Sequence, residues 1–76
     1  MRLDELKKGE QAVISEILGD DSLTMRLYEM GLLEEEPIKL IGAAPLGDPL
    51  EFSIRGYRLS LRKSEAARVQ VKPKAD

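Results

Sequence analysis

The chain has 76 residues, 42% hydrophobic and 34% charged, with a formal net charge of −2. That length accommodates one domain, and a domain so small buries only about 60% of its unfolded surface, which leaves little interior for an enclosed active site. Cysteine and histidine are both absent, so disulfides, soft-ligand metal centres and acyl-transfer sites built on His or Cys are excluded.

In chain order, Leu3-Asp4-Glu5-Leu6 followed by Lys7-Lys8-Gly9 predicts one short helical turn stopped by glycine, with Leu3 and Leu6 plugging one end of a core. Residues 11–18 are rich in β-branched and apolar side chains and predict a strand. Simple alternation puts Ala12 and Ile14 on one face and Val13 and Ile17 on the other. Asp20-Asp21-Ser22 is an N-cap cluster. Leu23, Leu27 and Met30 then recur at helical spacing over 21–30, with Met25 and Tyr28 read as further core residues. Gly31 is the expected left-handed stop, which makes Leu27 and Leu32 the apolar pair of a Schellman motif.

Residues 37–43 predict the next strand, with Ile38, Leu40 and Gly42 on one face. The loop Ala44-Pro45-Leu46-Gly47-Asp48-Pro49 follows; each proline fixes its own φ and restricts the residue before it. Leu50, Phe52 and Ile54 share a face, as do Tyr57, Leu59 and Leu61, and Arg55-Gly56 makes the tight turn of a hairpin between them. Ser64 is the expected cap of a helical turn through Ala67. Val69 and Val71 form a last strand, and residues 73–76 are expected to be a mobile tail after a domain spanning 1–72. The expected fold is mainly β: a small barrel of about five strands with one inserted helix and short helical turns.

Charge is unevenly spread. Residues 1–54 carry a net −7 and residues 55–74 a net +6. Such runs are either solvated faces or the poles of a molecule that orients against a charged partner. No apolar run approaches the roughly 20 residues that span a bilayer. The start, Met1-Arg2-Leu3-Asp4-Glu5-Leu6, is acidic where a signal peptide is apolar. The expectation is a cytoplasmic protein without direct membrane insertion.

Four stretches, Arg26-Leu27-Tyr28-Glu29-Met30-Gly31-Leu32, Ala44-Pro45-Leu46-Gly47-Asp48-Pro49, Ile54-Arg55-Gly56 and Leu59-Ser60-Leu61-Arg62-Lys63-Ser64-Glu65-Ala66, occur in an order and spacing that resemble the FeoA family, ferrous iron transport protein A. The resemblance runs from Leu6 to Val71. It implies an SH3-like barrel with a helical insertion, and a cytosolic accessory of bacterial ferrous iron uptake. The implied partner is the cytoplasmic GTPase region of the membrane transporter FeoB, which would hold the protein at the membrane. One position departs from the family pattern: Glu35 stands where a glycine is typical. A positive φ there would strain glutamate by roughly 1–2 kcal/mol.

The residues expected to meet a partner are Pro45, Leu46 and Asp48 of the loop, Arg55, Arg58 and Arg62 of the hairpin, and Arg26 and Glu29 of the helix. An apolar residue on a stiff loop loses little entropy on binding. A rigid strand connection, a solvated arginine face and an ordinary helix-surface ion pair are the structural readings of the same residues. No catalytic residue, cofactor or metal site is expected. Glu34-Glu35-Glu36 and Asp20-Asp21 would attract a divalent cation only weakly, since neighbouring carboxylates rarely converge without further ligands. The alternative function is a nucleic-acid-binding or transcription-regulatory small barrel using the basic 55–74 segment. The aromatics that would stack on bases are only Tyr28, Phe52 and Tyr57, so nucleic acid is not the expected partner.

Overall fold

Apolar residues at every second position build the barrel wall. The computed structural model describes residues 1–74. A 3-10 turn at Leu3–Glu5 precedes strand β1 (Gln11–Ile17), helix α1 (Ser22–Glu29), β2 (Pro37–Ala43), β3 (Leu50–Ile54), β4 (Tyr57–Leu61), helix α2 (Lys63–Ala66) and β5 (Val69–Pro73). The strands form one antiparallel sheet in the order β4-β3-β2-β1-β5. Phe52, Ile14, Ile38, Ile54, Leu61 and Val69 fill its concave side, and Leu3 and Leu6 close one end as expected.

Two bulges bend this sheet. On β1, Ile14 and Glu16 face consecutive residues Val71 and Gln70 of β5, so Ser15 is the extra residue. On β2, Leu40 and Gly42 face Phe52 and Glu51, so Ile41 is extra. An inserted residue reverses the alternation beyond it and sharpens the local twist. This corrects two expectations. Ile17 is buried on the same side as Ala12 and Ile14, and Gly42 leaves the Ile38/Leu40 face to stand opposite the exposed Glu51.

Helix α1 is fastened at both ends. Asp21 is its N-cap and accepts from the Thr24 N–H at 3.2 Å. The Arg68 guanidinium grips the same carboxylate through both oxygens at 2.9 and 3.0 Å and, with the Thr24 N–H, holds the Asp21 carboxyl far below its usual value. At the other end Gly31, φ +97, is the left-handed stop. The Leu32 N–H reaches the Leu27 carbonyl at 3.2 Å and the Gly31 N–H reaches Tyr28 at 3.0 Å, which is the Schellman pattern. Leu27 and Leu32 are both fully buried. The Tyr57 hydroxyl donates to the Met30 carbonyl at 2.7 Å and occupies the space a Gly31 Cβ would need.

Met25 and Tyr28 are not core residues: they are 60% and 37% exposed. The short helix lies on an already filled barrel and needs only a narrow stripe, supplied by Leu27 and Thr24 with Leu23 and Met30 at its margins. Ser64 is not a cap either. Helix α2 begins at Lys63, and its first turn is closed by Glu65, whose carboxylate accepts from the Arg62 N–H at 2.8 Å. Pro73 still pairs with Ala12 in β5; the remainder of the expected tail at residues 75–76 lies outside the described residues.

The turn into β2 has φ +70 at Glu35. Its N–H donates to the Ile14 carbonyl at 2.7 Å, so the backbone is pinned in that conformation. Its side chain is largely exposed, and its contact with Lys72 at 3.6 Å joins two solvated groups, a geometry that contributes little.

These two positions predict opposite outcomes in urea unfolding. Gly31→Val adds a branched Cβ at positive φ against Tyr57 and should lower stability by at least about 2 kcal/mol. Glu35→Gly relieves an L-residue at positive φ and should raise stability by about 1 kcal/mol, the larger looseness of glycine in the unfolded chain being subtracted. An unchanged midpoint for either variant would contradict the assigned backbone.

Candidate functional site

The loop between β2 and β3 is tied to itself and to α2. The Gly47 N–H closes a turn on the Ala44 carbonyl at 2.7 Å, and the Ala44 N–H bonds the Pro49 carbonyl at 2.9 Å. Pro45 takes the position after the turn's first residue, where its fixed φ suits, and Gly47 follows at φ +89. The Asp48–Pro49 peptide is cis. Asp48 Oδ1 accepts from the Lys63 N–H at 2.9 Å, which joins the loop to the start of α2. Leu46 stands at the tip, 96% exposed.

Beneath the tip lies an open cleft of about 490 Å³ bounded by Arg26, Asp48, Pro49, Ser60, Arg62 and Glu65. Glu65 is only 8% exposed. A carboxylate this enclosed must be well paired. It accepts from the Arg62 N–H and from the Arg26 guanidinium, so the same side chain closes α2 and reaches across to α1. The Arg62 guanidinium is exposed and has no ion-pair partner among the described residues.

The structure therefore brings Pro45, Leu46, Asp48, Arg62 and Arg26 to one region and leaves the other expected residues elsewhere. Arg55 sits at the tip of the β3–β4 hairpin, φ +52, and its guanidinium bonds Glu36 at 2.7 Å. That hydrogen bond holds the Glu36 carboxyl below its usual value. Arg58 lines a separate hollow with Lys8 and Lys39. Glu29 is exposed on α1, and Arg26 pairs with Glu65, not with it. Glu65 is the residue that sequence reasoning missed. Its signal was the three-residue spacing after Arg62, the spacing of a side chain that reaches back to close a first helical turn.

Among the described residues, no three acidic side chains converge as a metal site. What the arrangement offers is a protruding apolar tip on a tied loop whose base, at Asp48 and Pro49, borders a polar cleft with the unpaired Arg62. Such a surface can dock against a complementary one. Removing the Asp48 tie should loosen it. In Asp48→Ala the Lys63 amide should lose most of its hydrogen-exchange protection, with a global stability loss of about 1 kcal/mol. An unchanged Lys63 exchange rate would show that the loop is held by other contacts.

Comparison with known proteins fits this architecture. The model of the FeoA domain matches residues 1–73. A relative from Porphyromonas gingivalis (strain ATCC BAA-308 / W83), an Fe(2+) transport protein A/Fe(2+) transporter FeoB fusion protein, is 41% identical over 71 residues, 93% of this chain, and the chain spans 8% of that protein's length. The solution structure of the FeoA protein from Chlorobium tepidum superimposes with a TM-score of 0.89 at 35% identity, covering 99% of this chain and 71% of that one. The crystal structure of Stenotrophomonas maltophilia FeoA complexed with zinc, described as an SH3 domain protein, gives a TM-score of 0.83 at 33% identity, with 95% and 89% coverage. The sheet, the inserted helix and the matched family model together place this chain in the FeoA domain family, on an SH3-like barrel.

Proposed function

We propose that this chain is a non-enzymatic accessory of ferrous iron transport that docks through the Leu46 loop onto the cytoplasmic part of a FeoB-type transporter. The observation that carries this reading is Leu46 itself, 96% exposed at the tip of a loop fixed by Asp48 to α2. A tied loop has already lost the conformational freedom that binding would otherwise remove. Arg62, unpaired in the cleft beside Asp48 and Pro49, offers charge complementarity to an acidic rim and a faster, salt-dependent encounter.

The partner's identity is supported by the Porphyromonas gingivalis relative, in which an FeoA part and a FeoB part share one chain. Covalent linkage keeps two surfaces at high effective concentration, an arrangement suited to parts that act together. Among the described residues, no helix is long and apolar enough to cross a membrane, so membrane proximity in this reading comes from the partner. The competing reading, base stacking on a nucleic acid, is less favoured: of the three aromatics Phe52 is fully buried, which leaves only Tyr28 and Tyr57 partly exposed, on a chain of net negative charge.

The test is binding of purified variants to the cytoplasmic region of the transporter, followed by calorimetry and stopped flow. Leu46→Ser should weaken binding roughly tenfold or more through a faster off-rate, since burying a leucine contributes about 1.5–3 kcal/mol. Arg62→Glu should lower the on-rate and flatten its salt dependence. Both side chains lie outside the core, so melting curves should stay close to the parent's. Wild-type affinity in both variants would remove this loop from the docking surface.

A further inference from the structure

The outer face of the sheet carries a second feature, separate from the Leu46 loop. By register, Gln11, Lys39, Ser53 and Arg58 stand in one row across β1, β2, β3 and β4. Directly opposed residues in antiparallel strands have Cα atoms about 4.5–5.5 Å apart. Lys39 and Arg58 therefore flank Ser53 on its two sides, two long cationic side chains about one short one. The turn before β1 brings a third cation: the Gly9 N–H donates to the Leu40 carbonyl at 2.8 Å, which seats Lys8 beside β2. The result is a hollow of about 420 Å³ whose wall includes Lys8, Gly9, Lys39, Ile41, Ser53 and Arg58.

What sets this hollow apart is that three unpaired cations line it together. The chain is acidic overall, at −2, and Arg2, Arg26, Arg55, Arg68 and Lys72 each have a carboxylate partner. Among the described residues the other seven Lys and Arg have none, and three of these, Lys8, Lys39 and Arg58, meet at one place. Glu51, on the same strand face as Ser53, stands one row along, opposite Ser60, and ion-pairs with none of them. Like charges gathered at one spot repel each other, and a bound anion relieves that repulsion.

We propose that this hollow is a phosphate-binding site. Its ligand chemistry is a phosphate group, either free or as the headgroup of an anionic phospholipid. The guanidinium fork of Arg58 matches two phosphate oxygens, while Lys8 and Lys39 act as point charges from the other sides. The Ser53 hydroxyl on the floor supplies a neutral donor. The site does not depend on the docking role of Leu46, so either can fail without the other.

Amide NMR titration with inorganic phosphate, against sodium chloride at equal ionic strength, tests it. The expected result is saturable shifts centred on Lys39, Ser53 and Arg58, with a millimolar or tighter Kd that weakens at least tenfold in the Lys39→Ser/Arg58→Ser double variant and is kept in Leu46→Ser. A second arm distinguishes the sources through cosedimentation with phosphatidylglycerol and phosphatidylcholine vesicles. Retention on phosphatidylglycerol that inorganic phosphate competes away identifies a headgroup, and saturable shifts without retention identify a free phosphate. Shifts no different from those in chloride, binding unaltered in the double variant, or vesicle retention without saturable phosphate shifts would each overturn the proposal.

Discussion

The arrangement of the candidate surface depends on one enclosed carboxylate, Glu65. A charge removed from water is stable only if its oxygens are well bonded, and here each oxygen has a fixed partner. One takes the N–H of Arg62 and so closes the first turn of α2. The other takes the Arg26 guanidinium and so joins α2 to α1. Asp48 then bonds the N–H of Lys63, the next residue along. A helix of four residues has little stability of its own. It is held from the loop on one side and from the longer helix on the other, and it sets the Leu46 tip, the Arg62 guanidinium and the cleft in one frame.

Folding also redistributes the charge that the sequence separates. The net −7 of residues 1–54 and the +6 of residues 55–74 suggest a molecule with two poles. In the fold, Arg55 reaches Glu36, Arg68 reaches Asp21 and Lys72 lies near Glu35. Each of these pairs ties the basic end of the chain to its acidic beginning. The Asp21–Arg68 pair has structural weight beyond charge: the same carboxylate caps α1, and the Arg68 carbonyl accepts the Leu18 N–H at 2.8 Å. Among the cations left without carboxylates, Arg62 lines the cleft with Asp48 and Pro49, and Lys8, Lys39 and Arg58 gather around Ser53.

Local rules made much of the fold legible. Gly31 could be placed because a helix stop, a left-handed residue and an apolar pair at Leu27 and Leu32 all agree on one motif. The Arg55-Gly56 turn was legible because a glycine sits between two alternating runs, and both residues have the positive φ of a type I′ turn, +52 and +82. Expectation failed where one residue interrupts a period. Ser15 and Ile41 each add a residue to a strand, and nothing in the alternation of a single strand reveals that its partner lacks one. Met25 and Tyr28 failed for another reason: helical spacing identifies a stripe but not its width, which the space left over the barrel decides. Of the candidate site, the loop was legible from its prolines and glycine, but the long-range partners were not. The contact between Arg26 and Glu65 spans 39 residues and follows from the way α1 and α2 meet.

The docking role proposed for Leu46 and its immediate frame is open to a direct test. Methyl-labelled protein titrated with the cytoplasmic region of a FeoB-type transporter addresses this residue by residue. The Leu46 methyls should show the largest perturbation and lose exposure to a soluble paramagnetic agent, with the Arg62 and Lys63 amides next. Full agent exposure of Leu46 in the complex, with the perturbations gathered instead around Met25 and Tyr28 on α1, would contradict it.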